Sequence, residues 1–243
     1  MADLDKVKIL VVGDSGVGKT SFINLICHNE KLRSPAWTIG CSVETKVFEY
    51  KRGTAQVKDF FIELWDIGGS ASHKCSRSIF YSSINGLILV HDLTNRKSYC
   101  NLRKWLGEVF GAGRETSGMG SRKISRASLI TDFDNEDECD PEQLAGNQIP
   151  ILIVGTKADQ SVLSNASNVH DLAGEVGADC LSVDCTRTEQ LSTGSTNLQK
   201  FNAFINKVIE RRYFPREKSQ ATILMDNTRT DSWKDRSNKR KYF

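Results

Sequence analysis

The segment that most constrains the fold is GDSGVGKT, at residues 13–20. It follows VKILVV, an aliphatic run typical of a buried strand, and it precedes TSFINLICHN, whose apolar residues recur at helical spacing. Gly13, Gly18, Lys19 and Thr20 match the pattern G-x-x-x-x-G-K-[ST]. Glycines let successive backbone N–H groups converge on a polyphosphate, because a Cβ atom would block that approach. The segment therefore predicts a phosphate-binding loop between a strand and a helix.

The residues of this loop have distinct expected roles. The N-terminus of the following helix adds its partial positive charge to the site. Lys19 brings a full charge to the terminal phosphates, and the hydroxyl of Thr20 can ligate Mg²⁺. The residues expected to contact the phosphates are Asp14, Ser15, Gly16, Val17, Gly18, Lys19, Thr20 and Ser21.

Short apolar runs alternate with helical patterns along most of the chain. The predicted strands are 7–13, 43–50, 57–64, 86–92, 151–156 and 178–184, and the predicted helices are 20–29, 98–110 and 198–214. The alternation predicts an α/β fold with a six-stranded, mostly parallel sheet covered by helices on both faces. The second and third strands are joined too closely for a crossover helix, so that pair should be antiparallel. Ligands of such sheets bind at the carboxyl ends of the strands.

Two polar segments interrupt this alternation. Residues 111–148 are rich in Gly, Ser and charged residues, which favours a disordered insert over a dedicated binding element. Residues 211–243 contain ten Lys and Arg against four Asp and Glu, so the basic excess of the chain belongs to its tail. We predict one domain at 1–214 that carries the insert 111–148, followed by a flexible basic tail at 215–243. A solvated tail is favoured over one that contacts acidic lipids, and no nucleic-acid partner is expected.

The cysteines and the apolar runs bear on the compartment. The seven cysteines are dispersed and odd in number, which is typical of reduced thiols in the cytoplasm. No apolar run approaches the length of a membrane span. The end KRKYF offers no cysteine for prenylation. We expect a cytoplasmic, non-prenylated protein without a stable membrane anchor.

A second ligand-binding pattern follows another buried strand, in ILIVGTKAD at 151–159. A carboxylate such as Asp159 can accept two hydrogens from guanine, N1–H and N2–H, whereas adenine presents one donor beside an acceptor. The stem of Lys157 can lie across a purine face. Alone, T-K-x-D usually means a surface ion pair. After a phosphate loop, Thr156, Lys157, Ala158 and Asp159 together predict a guanine site.

The combination of motifs resembles the Ras superfamily of small GTPases. GDSGVGKT, Thr38 in PAWTIG, WDIGG at 65–69 and TKAD occur in the order and spacing of that family, and the likeness is strongest to its Rab branch and Rab-like offshoots. The resemblance covers residues 5–214. It implies the P-loop small-GTPase fold, GTP or GDP with Mg²⁺ as cofactors, and effectors and regulators of small GTPases as protein partners. It also implies that Asp184 and Cys185 contact guanine through their backbone N–H groups.

The resemblance further implies two segments that respond to the γ-phosphate. Thr38 would join the magnesium shell when the γ-phosphate is present, Asp66 would hold magnesium through a water, and the N–H of Gly69 would meet the γ-phosphate. Ser70 stands where the family has the glutamine that orients the attacking water. Because serine is too short for that task, we predict weak intrinsic hydrolysis and assign no catalytic residue. The loop around Gly69 should move with the nucleotide state.

Three functions remain as alternatives. The first is a guanine-nucleotide switch that binds partners in trafficking or signalling. The second is a largely GTP-bound, non-cycling adaptor or regulator of other small GTPases, in which nucleotide mainly stabilises the fold. The third, a nucleotide kinase, is disfavoured because no Arg-rich lid accompanies the loop. A homodimer is conceivable through Trp37, Phe48 and Trp65, although core or sheet positions are favoured for these aromatic residues.

Overall fold

The computed structural model describes residues 5–111, 149–161 and 169–215. Apart from their first residues, the predicted insert at 111–148 and the predicted tail at 215–243 lie outside these ranges.

A six-stranded sheet forms the centre of the described part, with the strand order β2-β3-β1-β4-β5-β6. The strands are β1 (Lys6–Val12), β2 (Cys41–Tyr50), β3 (Lys58–Ile67), β4 (Gly86–Asp92), β5 (Ile151–Thr156) and β6 (Asp179–Ser182). The pair β2–β3 is antiparallel and every other neighbouring pair is parallel, which confirms the predicted mixed sheet. The carboxyl ends of β1, β3, β4 and β5 therefore meet at one edge, where the candidate site lies.

Helices cover both faces of the sheet. They are α1 (Lys19–His28), α2 (Lys74–Arg77), α3 (Arg96–Cys100), α4 (Leu102–Gly111), α5 (Val169–Val176) and α6 (Thr196–Tyr213). The alternation of side chains along β1 supplies both cores. Ile9 and Val11 pack in one core with α1 and α6, whereas Leu10 and Val12 pack in the other with α4 and α5. The P-loop small-GTPase fold is thus built as the sequence predicts.

Several element boundaries differ from the predictions. β3 continues past the predicted end at 64 to Ile67, because β1 and β2 pair with it on both sides, so Asp66 lies within the strand. The predicted helix 98–110 is divided into α3 and α4 at Asn101. α5 has no counterpart among the predicted helices.

The three aromatic residues considered for a dimer surface lie in different environments. Phe48 and Trp65 are partly buried and pack against the two cores, as predicted. The prediction was wrong for Trp37, whose surface is 88% exposed. Trp37 belongs to the segment between α1 and β2, which forms no helix or strand until residue 41 and leaves the indole outside the core.

Candidate nucleotide-binding site

The phosphate loop joins the end of β1 to the start of α1. Gly18, the residue before the helix, has φ 94°, a left-handed conformation that favours glycine. The ammonium of Lys19 spans the loop and donates to the carbonyl oxygens of Gly13 at 2.8 Å and Asp14 at 2.9 Å. Burial lowers the pKa of Lys19 to about 8, although the nearby carboxylates of Asp66 and Asp14 oppose that change. A buried cation is therefore held beside the loop, where the sequence predicts phosphates.

The three predicted magnesium ligands converge from three separate segments. The hydroxyl of Thr20, in the first turn of α1, donates to Oδ2 of Asp66 at 2.5 Å. The hydroxyl of Thr38 donates to the same oxygen at 3.0 Å and lies 3.2 Å from the hydroxyl of Thr20. Burial raises the pKa of Asp66, and the hydrogen bond from Thr20, the charge of Lys19 and the hydrogen bond from Thr38 counteract it.

These three side chains suit a hard cation. Oδ1 of Asp66 is buried and has no hydrogen-bond partner among the described residues. Two hydroxyl oxygens lie next to this carboxylate, and Mg²⁺ prefers oxygen ligands. Such an unpartnered buried carboxylate oxygen is costly unless it gains a cation or a donor. Thr20, Thr38 and Asp66 therefore fit Mg²⁺.

The two glycines after β3 bring their backbone against the phosphate loop. A Cβ atom at Gly69 would lie 2.5 Å from the nitrogen of Ser15 and 2.6 Å from the carbonyl oxygen of Gly13. The N–H of Gly68 donates to the carbonyl oxygen of Gly40 at 2.9 Å, which ties this loop to the segment that carries Thr38. Only glycine allows this approach, so the position of Gly69 explains its residue type.

The end of β5 is bonded to the phosphate loop. The hydroxyl of Thr156 lies 2.5 Å from the carbonyl oxygen of Val17 and 3.0 Å from that of His91, so its single proton is used within the protein. Lys157 has φ 56° and its ammonium donates to Oδ2 of Asp92 at 2.6 Å. Burial alone would raise the pKa of Asp92, but the hydrogen bonds from Lys157 and Thr94 lower it.

The two segments predicted to contact guanine lie side by side. The N–H of Ala158 donates to the carbonyl oxygen of Val183 at 3.4 Å. Asp184 holds the turn after β6 by accepting from the N–H of Thr186 at 2.8 Å and from its hydroxyl at 2.6 Å. Burial, together with the charges of Asp184 and Asp159, raises the pKa of Cys185 to about 12. Asp159 itself is exposed, as a base-binding carboxylate must be.

Comparison with known proteins decides the family. Rab-like protein 3 of Mus musculus is 45% identical over 237 residues, which cover 94% of this chain and 95% of that protein. Rab-like protein 3 of Homo sapiens is 44% identical over the same shares. The chain belongs to the Rab-like small GTPases of the Ras superfamily. Residues 8–119 also match the family model described as Ras of Complex, Roc, domain of DAPkinase. Small GTPase-like protein LIP2 of Arabidopsis thaliana is 37% identical over 163 residues, 63% of this chain and 43% of that protein.

Arg77 contributes to the site of this Rab-like GTPase and was missed by the sequence reasoning. Its side chain is 4% exposed, and its guanidinium forms two hydrogen bonds with Glu108 of α4, each at 2.9 Å. Nη1 of Arg77 also donates to the carbonyl oxygens of Gly68 at 3.1 Å and Ser70 at 3.2 Å. The loop after β3 is thereby bonded to α4.

Helix α4 and the residue before it also bind the phosphate loop. Asn101 donates to Oδ2 of Asp14 at 2.7 Å, and the indole N–H of Trp105 donates to Oδ1 at 2.9 Å. The carboxylate of Asp14 is thus used within the protein, which leaves its backbone for the predicted phosphate contact. Asn101, Trp105 and Glu108 follow the spacing of one helix face, a signal in the sequence that these polar groups lie on the same side of the helix.

No helix in the described ranges is long and apolar enough to cross a bilayer.

Proposed function

We propose that this Rab-like GTPase binds GTP and GDP with Mg²⁺ and changes the arrangement around Thr38 with the nucleotide state. The observation that carries the proposal is that the hydroxyls of Thr20 and Thr38 converge on Oδ2 of Asp66, whose other oxygen, Oδ1, is buried without a partner among the described residues. Thr20 and Asp66 belong to α1 and β3, whereas Thr38 belongs to an irregular segment with the exposed side chains Trp37 and Ile39. Thr38 can therefore leave the cluster without disturbing the core.

The residues of the loop and of α1 would bind the phosphates. Backbone N–H groups of residues 14–21 surround them, and Lys19 supplies a buried positive charge. Thr20, Thr38 and Asp66 would hold Mg²⁺, which when bound supplies positive charge that neutralises phosphate oxygens. The N–H of Gly69 would meet the γ-phosphate, because its backbone already lies against the loop.

The residues after β5 and β6 would bind the base. Asp159 would accept both hydrogens of the guanine edge, and the backbone N–H groups of Asp184 and Cys185 would meet the guanine oxygen. Thr156 would act indirectly, because its hydroxyl proton is bonded to carbonyl oxygens of the protein. The stem of Lys157 would cover one face of the purine while its ammonium stays on Asp92.

Hydrolysis by this chain would be slow without a partner. Orienting a water for in-line attack requires a group that reaches both that water and the γ-phosphate. Ser70 follows Gly69 at the position where such a group would stand, and its side chain ends one bond beyond Cβ. An effector or regulator of small GTPases could supply the missing group.

The second candidate, a largely GTP-bound adaptor, also has support. The loop at 68–70 is bonded to Arg77 and to Gly40 by protein atoms alone, which favours a state that persists. The exposed side chains of Trp37 and Ile39 offer apolar area to a protein partner, and a second copy of the chain is one such partner. We place either activity in the cytoplasm, because the cysteines of the described ranges are free thiols.

The deciding experiment identifies the nucleotide carried by the purified full-length protein and times its turnover. The protein is denatured, the released nucleotide is separated by chromatography, and single-turnover hydrolysis of GTP is followed with and without cell extract. Bound GDP together with nucleotide-dependent partner binding supports the switch. Bound GTP without turnover in either condition supports the adaptor, and a protein that binds neither nucleotide contradicts both.

A pair of lysine variants tests the phosphate assignment. Lys19→Ala should lose the nucleotide, because it removes the buried charge beside the loop. Lys207→Ala is the matched control, since it removes an exposed ion pair between Lys207 of α6 and Asp179 of β6 and should retain full occupancy. Equal occupancy in the two variants would refute the assignment.

A further inference from the structure

A buried arginine joins three parts of the candidate site. The guanidinium of Arg77 forms four hydrogen bonds, two to Glu108 on one side and two to the carbonyl oxygens of Gly68 and Ser70 on the other. Glu108 also accepts a hydrogen bond at 2.6 Å from the hydroxyl of Tyr81. Both carboxylate oxygens are therefore occupied, and the pair is held in one geometry.

The ring of Trp105 links Arg77 to the phosphate loop. The indole of Trp105 lies 4.3 Å from the guanidinium carbon of Arg77, within the range of cation–π contacts. The N–H of that indole donates to the carboxylate of Asp14. Contacts between protein atoms thus run from the loop at 68–70, through Arg77 and Trp105, to the phosphate loop.

Opening the loop at 68–70 would break these contacts. Glu108 is 14% exposed and Arg77 4%, so separating the pair would leave a nearly buried charge without its partner. Displacing the loop while the pair remains would break two charge-assisted hydrogen bonds to carbonyl oxygens. The segment that carries Thr38 is bonded to Asp66 and to Gly68 but to no buried arginine in the described residues. The side chains on either side of Thr38, Trp37 and Ile39, are 88% and 83% exposed.

We propose that Arg77 is a positioning residue that keeps Gly68–Ser70 closed on the phosphate loop in the GDP-bound as well as the GTP-bound protein. The N–H of Gly69 would then contact the γ-phosphate without moving, only the Thr38 segment would change its arrangement with the nucleotide, and the two segments would not switch together. The part of this proposal that concerns two nucleotide states rests on the proposed function. The contacts of Arg77 with the loop are independent of it, since they join protein atoms only. The inference replaces the sequence-based expectation that this loop moves with the nucleotide.

Hydrogen exchange on the full-length protein tests this inference. Amide protection of residues 67–71 and of 37–41 is measured with GDP and with a non-hydrolysable GTP analogue. In the native protein, protection of 67–71 should agree within about twofold between the two nucleotides, apart from that of Gly68, whose N–H donates to Gly40. Protection of 37–41 should fall about tenfold or more with GDP. A loss of about tenfold at 67–71 with GDP would overturn the inference.

Substitution of the arginine supplies the second arm. In Arg77→Ala, protection of 67–71 should fall about tenfold or more with GDP, because two hydrogen bonds to that loop are lost. Arg77→Lys keeps the charge but not the planar fork, so it should restore only part of the protection. A general loss of stability would instead lower protection of β4 as well, which separates a positioning role from a structural one.

Matched variants keep the test decisive. Arg103→Ala removes another two-bond arginine–glutamate pair on α4, with Glu175, and should leave residues 67–71 unchanged. If Arg77→Ala does not fold, Glu108→Gln keeps the shape of the partner and should still reduce protection of 67–71. Equal protection in Arg77→Ala, or in Glu108→Gln where that variant is used, and in Arg103→Ala overturns the inference.

The two proposals fail separately. A native protein that binds neither nucleotide refutes the proposed function and the statement about two states. The comparison of Arg77→Ala with Arg103→Ala still decides whether Arg77 holds the loop.

Discussion

Replacing Gly69 by alanine should detach the loop after β3 from the phosphate loop. The added Cβ would lie 2.5 Å from the nitrogen of Ser15 and from the carbonyl carbon of Asp14. Both are backbone atoms, so no flexible side chain can move aside. Ordinary contact begins near 3.4 Å, so the two backbones must separate by about 0.9 Å.

The energetic consequence follows from the bonds that this separation breaks. The bond from Gly68 to Gly40 is 2.9 Å long, and those from Arg77 to Gly68 and Ser70 are 3.1 and 3.2 Å. If the loop moves by about 0.9 Å along these bonds, they lengthen beyond the usual limit of about 3.2 Å. At about 1 kcal/mol for each bond, the closed arrangement loses about 2–3 kcal/mol.

Nucleotide binding by Gly69→Ala measures this loss. Only GTP has a γ-phosphate to accept a hydrogen bond from the N–H of Gly69. The Kd for GTP should therefore rise about 30- to 150-fold, which corresponds to 2–3 kcal/mol. The Kd for GDP should change by less than about threefold. Dissociation of fluorescent GTP and GDP analogues, followed by stopped flow, provides both values.

A second glycine serves as the control. Gly174 lies in α5, and a Cβ atom there meets nothing within 4 Å. Gly174→Ala should leave both nucleotide affinities unchanged and raise the unfolding free energy by up to about 1 kcal/mol. If Gly69→Ala binds GTP as tightly as Gly174→Ala does, the close approach does not control the γ-phosphate contact and the reasoning is wrong.

Three further predictions test other parts of the site and of the fold. Ser70→Gln should speed single-turnover GTP hydrolysis by about ten- to a hundredfold by orienting the attacking water, whereas the shorter amide of Ser70→Asn should not; equal rates would refute the assignment of that position. Thr38→Ala should lower the affinity for the GTP analogue at limiting Mg²⁺ by about tenfold and leave the affinity for GDP unchanged. Both affinities are measured across a magnesium titration, and an equal loss for the two nucleotides would contradict the role of Thr38. Burial lowers the pKa of His91 to about 4 from its ordinary value of 6.5, so between these pH values the unfolded chain binds a proton that the folded chain does not. Stability should therefore be complete above pH 6.5 and fall as the pH drops toward 4, by on the order of 3 kcal/mol; His91→Phe should flatten this dependence in urea unfolding at pH 7 and 4.5, and an unchanged slope would exclude His91 as its cause.

Local hydrophobic patterns predicted the fold well, because the apolar residues of a segment reflect which of its faces are buried. The continuous apolar runs of β1, β4 and β5 correspond to strands buried on both faces, and their order predicted the parallel sheet. The antiparallel pair was predicted from the short link between β2 and β3. The extension of β3 to Ile67 was not, since it depends on pairing with neighbours on both sides.

Some residues of the candidate site could likewise be predicted from local patterns, whereas others could not. Lys19 and Thr20 could be assigned from one short motif, because their chemistry depends on neighbours in the chain. Thr38 and Asp66 needed the family resemblance, and their distances to Thr20 needed the structure. Arg77 carried no motif, since its partners are 9 and 31 residues away in the chain.

The amino-acid sequence by itself determined that residues 13–20 carry a phosphate-loop motif between a strand and a helix, that T-K-x-D follows another buried strand at 156–159, and that Ser70 follows the two glycines after β3. Those properties depend on residue type and on spacing within single segments. Only the tertiary structure decided that the loop at 68–70 is bonded to α4 through Arg77, and that the carboxylate of Asp14 is used by Asn101 and Trp105. The physical reason is that hydrogen bonds and burial between distant segments depend on how the helices pack on the sheet, which no local pattern encodes.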